Sequence, residues 1–158
     1  MPATDNSAGV RPVPLRMAIA VLALAGFFVA LYLTLHALGI TPLAACTTGG
    51  GCDQVQSSRF SSIAGVPVAL VGAVGYVAIL AVAWLGTTAQ NVRAAWVPWV
   101  LLALTTIAFG FSAYLTALEA WVIHAWCPYC VSSAILATLI FLLSLGELRT
   151  LRGRSGDR

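Results

Sequence analysis

CPYCVSSAILATLIFLLSL, residues 127–145, joins two thiols at CxxC spacing to a run of almost wholly apolar side chains. About 20 such residues in helical form cross the hydrocarbon core of a bilayer. The stretch therefore predicts a membrane-spanning helix with Cys127 near its N-cap and Pro128 in the first turn, where a missing N–H costs nothing. Unpaired N–H groups and the positive end of the helix dipole would there favour a thiolate over a thiol. Two thiols at this spacing also close into a small disulfide ring that opens and reforms by exchange.

Three further apolar runs precede it, so the spans are expected at about 17–38, 66–85, 95–118 and 127–145. Gly39 and Pro42 stop the first, Pro67 stands at the start of the second, and residues 119–126 form a brief aromatic-rich connection. Residues 39–65 make a polar connection rich in Thr, Gly and Ser, including Gly49-Gly50-Gly51. Residues 1–16 read as a disordered cytosolic tail and 147–158 as a basic one, leaving 17–146 as one membrane domain. The composition agrees: 60% of the 158 residues are hydrophobic and 8% charged, with a mean hydropathy of +0.95. Soluble domains carry about 25% charged residues. The expected fold class is an all-α integral membrane protein, a four-transmembrane-helix bundle with an extracytoplasmic loop and short-helix cap.

Orientation follows from the arginines, the only basic residues besides two histidines. Seven of eight (Arg11, Arg16, Arg93, Arg149, Arg152, Arg154, Arg158) fall on the side shared by both termini and the 86–93 turn; Arg59 lies opposite. Both termini are expected in the cytosol, which places Cys46, Cys52, Cys127 and Cys130 together on the oxidising face, where disulfide chemistry belongs. No basic stripe with interleaved aromatics is present, which excludes nucleic acid as a partner. Leu43-Ala44-Ala45-Cys46 looks like a lipoprotein cleavage site. The preceding run of about 22 residues exceeds the 7–15 of a signal peptide and is separated from it by Gly39 and Pro42, so the first span is expected to be retained.

Four cysteines at CxxC and Cx5C spacing also suit a structural zinc site, which His36 and His124 would extend. A fixed tetrahedral site has no folding task at a membrane surface, and a lone histidine near a span end is an ordinary packed or interfacial residue, so no metal is expected. Two structural disulfides are a second alternative. A CxxC ring is strained and adds little loop-closure entropy, which favours a redox role for Cys127 and Cys130. Cys46 and Cys52 enclose five residues, three of them glycine, and suit either a staple or a mobile shuttle. Four cysteines permit three pairings. Val55, Phe60 and Ile63, interleaved with polar residues, are expected to lie apolar side down on the bundle mouth. With no flavin, nucleotide or metal motif, electrons leaving the CxxC need a diffusible acceptor. A lipid-soluble quinone is the one a bilayer offers.

These residues together resemble the bacterial branch of the vitamin K epoxide reductase family. The resemblance rests on Cys46 and Cys52 in the first outer loop, Ser57-Ser58-Arg59-Phe60, Gly65-Val66-Pro67, and CPYC heading the fourth span. It extends over residues 17–146. The DsbB type, which carries its CxxC in the first outer loop and its spaced pair in the second, has the reverse order. The resemblance implies a quinone-dependent thiol–disulfide oxidoreductase of a bacterial cytoplasmic membrane that reoxidises a separate thioredoxin-like (DsbA-like) protein. It implies that Cys46 meets that partner, that Cys52 exchanges with Cys127, and that Cys130 reduces the quinone, with menaquinone and ubiquinone equally compatible. It also places a quinone-site serine at Ser58, which otherwise reads as a capped turn. Arg59 is expected to be an interfacial anchor and Glu119 a solvated residue at the span end, its alternative being a proton acceptor. Animal members use a tyrosine four residues after the CxxC where this chain has Ala134, so plain quinone reduction rather than epoxide reduction is expected. Many bacterial members carry a fifth span and a fused thioredoxin-like domain, whereas this chain is expected to use a separate partner. A four-span scaffold with structural disulfides is the rival reading.

Overall fold

The computed structural model describes residues 12–41, 51–92 and 94–155. The expected tail over residues 1–11 and the loop over 42–50 lie outside them. Five α-helices follow one another: α1 (Pro12–Ala37), α2 (Gly51–Gln56), α3 (Val68–Leu85), α4 (Trp96–Leu118) and α5 (Pro128–Ser155). Between α2 and α3 lies a small hairpin, β1 (Ser62–Ile63) and β2 (Val66–Pro67), and a π-helical turn, Glu119–Ile123, extends α4. Among the described residues four segments are long and apolar enough to cross a membrane: Val13–Ala37, Val68–Leu85, Trp96–Ile123 and Pro128–Arg149. The protein is an all-α membrane bundle, as its hydropathy requires.

The helices form a ring in which α1 packs on α3 and α5, and α4 packs on α3 and α5. Small residues let the first pair close. A Cβ on Gly26 of α1 would overlap the ring of Tyr76 on α3, at 2.3 Å from its nearest carbon. The common core runs through Ile19, Ala23, Ile79, Leu101 and Ile140, and the rings of Phe109 and Phe141 stack at 4.9 Å to join α4 to α5. Exposed Trp84, Trp96 and Trp99 stand at one end of the bundle and exposed Trp121 and Trp126 at the other. Such aromatic pairs of belts mark the two interfaces of a bilayer.

Element boundaries depart from the expected ones wherever a helix continues past its apolar run. α1 begins at Pro12 rather than Met17, and α5 continues through residues expected in the basic tail. An ion pair joins the two extensions. Arg16 and Glu147, each about fully buried, meet at 2.6 Å, and Arg16 also donates to the carbonyl oxygens of Gly86, Asn91 and Val92. One guanidinium thus ties α1, α5 and the α3–α4 turn together at the end remote from the CxxC. Removing one partner of a buried pair strands the other charge, a loss of about 3–5 kcal/mol. Glu147→Leu is therefore expected to lower the melting temperature in detergent sharply, and the double variant with Arg16→Met to recover most of it.

From Gly51 onward the polar connection folds as α2 and the hairpin, which close one end of the bundle. Ala64 and Gly65 both have positive φ, 51° and 83°, which is the primed two-residue turn that matches strand twist. The hairpin was not expected, and it corrects one placement. Val55 and Phe60 face the bundle interior, but Ile63, beside the turn, is 54% exposed. β2 takes up Val66 and Pro67, so α3 starts at Val68, with Pro67 as its N-cap.

Candidate active site

The capped end of the bundle gathers most of the residues singled out by the sequence. Cys127 is the N-cap of α5: its carbonyl accepts from Val131 N–H at 3.0 Å, and Pro128 opens the helix. Cys52, on α2, is buried in the same cluster as Cys127 and Leu33 of α1, with Cys130, Tyr129 and Tyr32 packed against it. The rings of Tyr32 and Tyr129 lie 5.3 Å apart and fix α1 against the CxxC. Cys127 and Cys130 are free thiols, and Cys52 is disulfide-bonded. Cys46 lies outside the described residues.

Gly51 explains how α2 comes so close. A Cβ at this position would stand 2.6 Å from the carbonyl oxygen of Trp126, so only glycine lets the start of α2 lie on the backbone that leads into Cys127. The neighbouring Cys52 is thereby seated beside the CxxC.

Cys127 sits one residue ahead of the fourth span, and its thiol is drawn down to about 7, chiefly by the hydrogen bond from the Cys130 thiol. Burial opposes that shift, the Cys130 and Tyr129 backbone N–H groups add to it, and the Glu119 carboxyl opposes it. Lowering favours the thiolate, which is the attacking form in disulfide exchange. Cys127 is the better nucleophile of the pair.

Cys130 faces the other way. It lines a cavity of about 340 Å³ walled mainly by apolar residues of α3 and α4 and roofed by Val55, Ser58 and Phe60 of the cap. Cavities of this size and lining accept small apolar ligands oriented by a few polar groups. The polar groups here include Ser58, Glu119, Tyr76 and Ser133. The Tyr76 hydroxyl spans the bundle interior to the Ser133 carbonyl and hydroxyl oxygens, at 3.0 and 2.9 Å. The Ser58 hydroxyl donates to the Val55 carbonyl at 2.7 Å, so it closes a turn and lines the cavity at once. Arg59 lies over the Phe60 ring at 5.4 Å.

Glu119 is the largest correction. Expected to be solvated, it is 3% exposed and stands first in the π-helical turn, with its carboxyl accepting from Cys127 N–H at 3.3 Å. A π-turn admits an extra residue into a helix and often marks a functional site. The expected connection over 119–126 is instead helical as far as Ile123, after which His124 takes a left-handed conformation, φ 55°, and ends it. An acid inside an apolar helical run was the available signal, since ionisable groups within a span face the protein interior. The Tyr76–Ser133 bond had no signal, because its partners lie on different spans. His36 Nδ1 approaches the Thr41 carbonyl at 2.9 Å. Among the described residues no three metal-ligating side chains converge.

Residues 17–145 match the vitamin K epoxide reductase family. That match covers all four spans, the α2 cap, the CxxC and the cavity beneath it, and the chain accordingly belongs to this family as a multi-pass membrane oxidoreductase.

Proposed function

We propose that the protein couples oxidation of protein thiols to reduction of a membrane quinone, driving disulfide formation on the extracytoplasmic face of a bacterial cytoplasmic membrane. The observation that carries this reading is the two-sidedness of the CxxC: Cys127 is buried with Cys52, while Cys130 opens on an apolar cavity. A reduced thioredoxin-like (DsbA-like) partner attacks the Cys46–Cys52 disulfide at Cys46 and leaves oxidised. The freed Cys52 thiolate attacks Cys127 of an oxidised CxxC, releasing Cys130 as the thiolate. Exchange back to Cys46–Cys52 leaves the CxxC as a dithiol, and its two electrons pass to quinone in the cavity as the Cys127–Cys130 bond reforms. Direction is set by reduction potentials, about 30 mV corresponding to 1.4 kcal/mol for this two-electron couple. Ser58, at the cavity roof, is assigned to orienting the quinone. The arginine distribution supports cytosolic termini and an extracytoplasmic capped end.

Thiol alkylation of the protein in membranes tests this directly. The CxxC is expected to become oxidised on addition of quinone and reduced on addition of quinol, with the loop pair following when the partner is present. Cysteines whose state ignores the quinone pool would instead describe a scaffold held by structural disulfides.

A further inference from the structure

Glu119 has a place in the site that the cysteine relay does not use. Its carboxyl is buried and accepts from the Cys127 N–H at 3.3 Å, and it lines the same cavity as Cys130. Among the described residues it is the only carboxyl in that lining. Burial of an acid within an apolar span carries a large desolvation penalty, so its retention needs a reason. Capping the Cys127 N–H is an insufficient one, because any neutral acceptor would serve. A place on the wall of the apolar cavity that Cys130 also lines is what a neutral acceptor would not require.

We propose that Glu119 is the proton carrier of the quinone step, taking the Cys130 thiol proton and delivering it to a quinone oxygen in the cavity. This rests on the quinone reading above. The Cys130 Sγ adds to the quinone ring as Glu119 removes its proton, and the resulting carboxylic acid returns that proton to the ring oxygen, where charge has accumulated. The Cys127 thiolate then attacks Cys130 Sγ. The S–S bond forms, the sulfur–ring bond breaks, and its electron pair stays on the ring as quinol. Ionisation of Cys127 releases one proton to the aqueous mouth and the second quinol oxygen takes one up. Two thiols and one quinone thus become one disulfide and one quinol, with no other reductant.

The test is a single turnover of the full-length protein in detergent, its CxxC reduced beforehand, mixed with a short-chain ubiquinone or a short-chain menaquinone. Glu119→Gln keeps an acceptor for the Cys127 N–H but cannot carry a proton. It is expected to slow quinol formation at saturating quinone by about 10²-fold or more, the range of general acid–base catalysis, a far larger change than any in half-saturation. Glu119→Asp, which withdraws the carboxyl by one methylene, is expected to slow the same step by about 10²-fold and serves if the Gln variant does not fold. A wild-type rate in either folded variant overturns the proposal, as does a defect in Glu119→Gln that more quinone fully repairs, which would make Glu119 a binding group. Wild-type protein that reduces neither quinone would overturn the quinone reading itself. Wild type that reduces quinone beside an equally fast Gln variant removes only the role of Glu119.

Discussion

Cys130→Ser is expected to abolish quinone reduction while leaving the outer loop able to capture a partner thiol. Cys130 is the cysteine on the cavity, and Cys127 is buried with Cys52. Without Cys130 a bond between Cys52 and Cys127 can be resolved only by Cys46, through exchange back to the loop pair. The variant should therefore hold part of its molecules as that cross-link, formed when Cys127 attacks Cys52 of the loop pair and visible as a mobility shift on non-reducing gels. The molecules that keep the loop pair should form a mixed disulfide between Cys46 and a partner carrying a single cysteine, with Cys52 left as the thiol. Quinol production should fall to the uncatalysed background, because two-electron oxidation of the CxxC has no disulfide product to reach. Cys127→Ser should lose quinone reduction as well, but without a Cys52 cross-link, since its remaining thiol lies on the cavity side. Normal quinone reduction by Cys130→Ser would show that the cavity-facing cysteine is not the electron donor.

Gly75→Phe is expected to block the quinone without disturbing the thiols. Gly75 lies on α3 along the cavity, and a Cβ there would meet no atom within 4 Å. The substitution also replaces a residue poorly suited to a helix interior, so the fold should tolerate it. A phenyl ring placed in a cavity of about 340 Å³ competes directly with a ring-sized ligand. Half-saturation by quinone should rise at least tenfold, a loss of about 1.4 kcal/mol in binding. The melting temperature and the exchange between a partner thiol and the loop pair should hold. Unchanged quinone saturation in the folded variant would place the quinone outside this cavity.

The α5 N-terminus was legible at residue level. Pro128 cannot donate an N–H and fits only the first turn, so Cys127 had to cap the helix, and it does. Arg16 was legible as a charge at a span end but not as a buried partner of Glu147, because the two stand 131 positions apart and their pairing depends on how α1 and α5 meet. The cap was legible only as polar. Its hairpin turns on Ala64 and Gly65 in the left-handed region, and the alanine disguised that turn. Glu119 was misread because a run that ends in a charge ordinarily ends at the solvent, whereas here a π-turn carries the helix past it.

Four spans, their approximate limits and the order of the cysteines along them were determined by the sequence alone. Partition into a bilayer sums over a contiguous segment, so a helix announces it by composition. Tertiary structure alone decided that Cys52 reaches Cys127, that Cys130 looks into a cavity, and that Glu119 lies between that cavity and the CxxC. Those facts depend on the rotational phase of each helix. That phase is set by contacts between distant residues: Gly26 under Tyr76, Gly51 against Trp126, and Arg16 with Glu147.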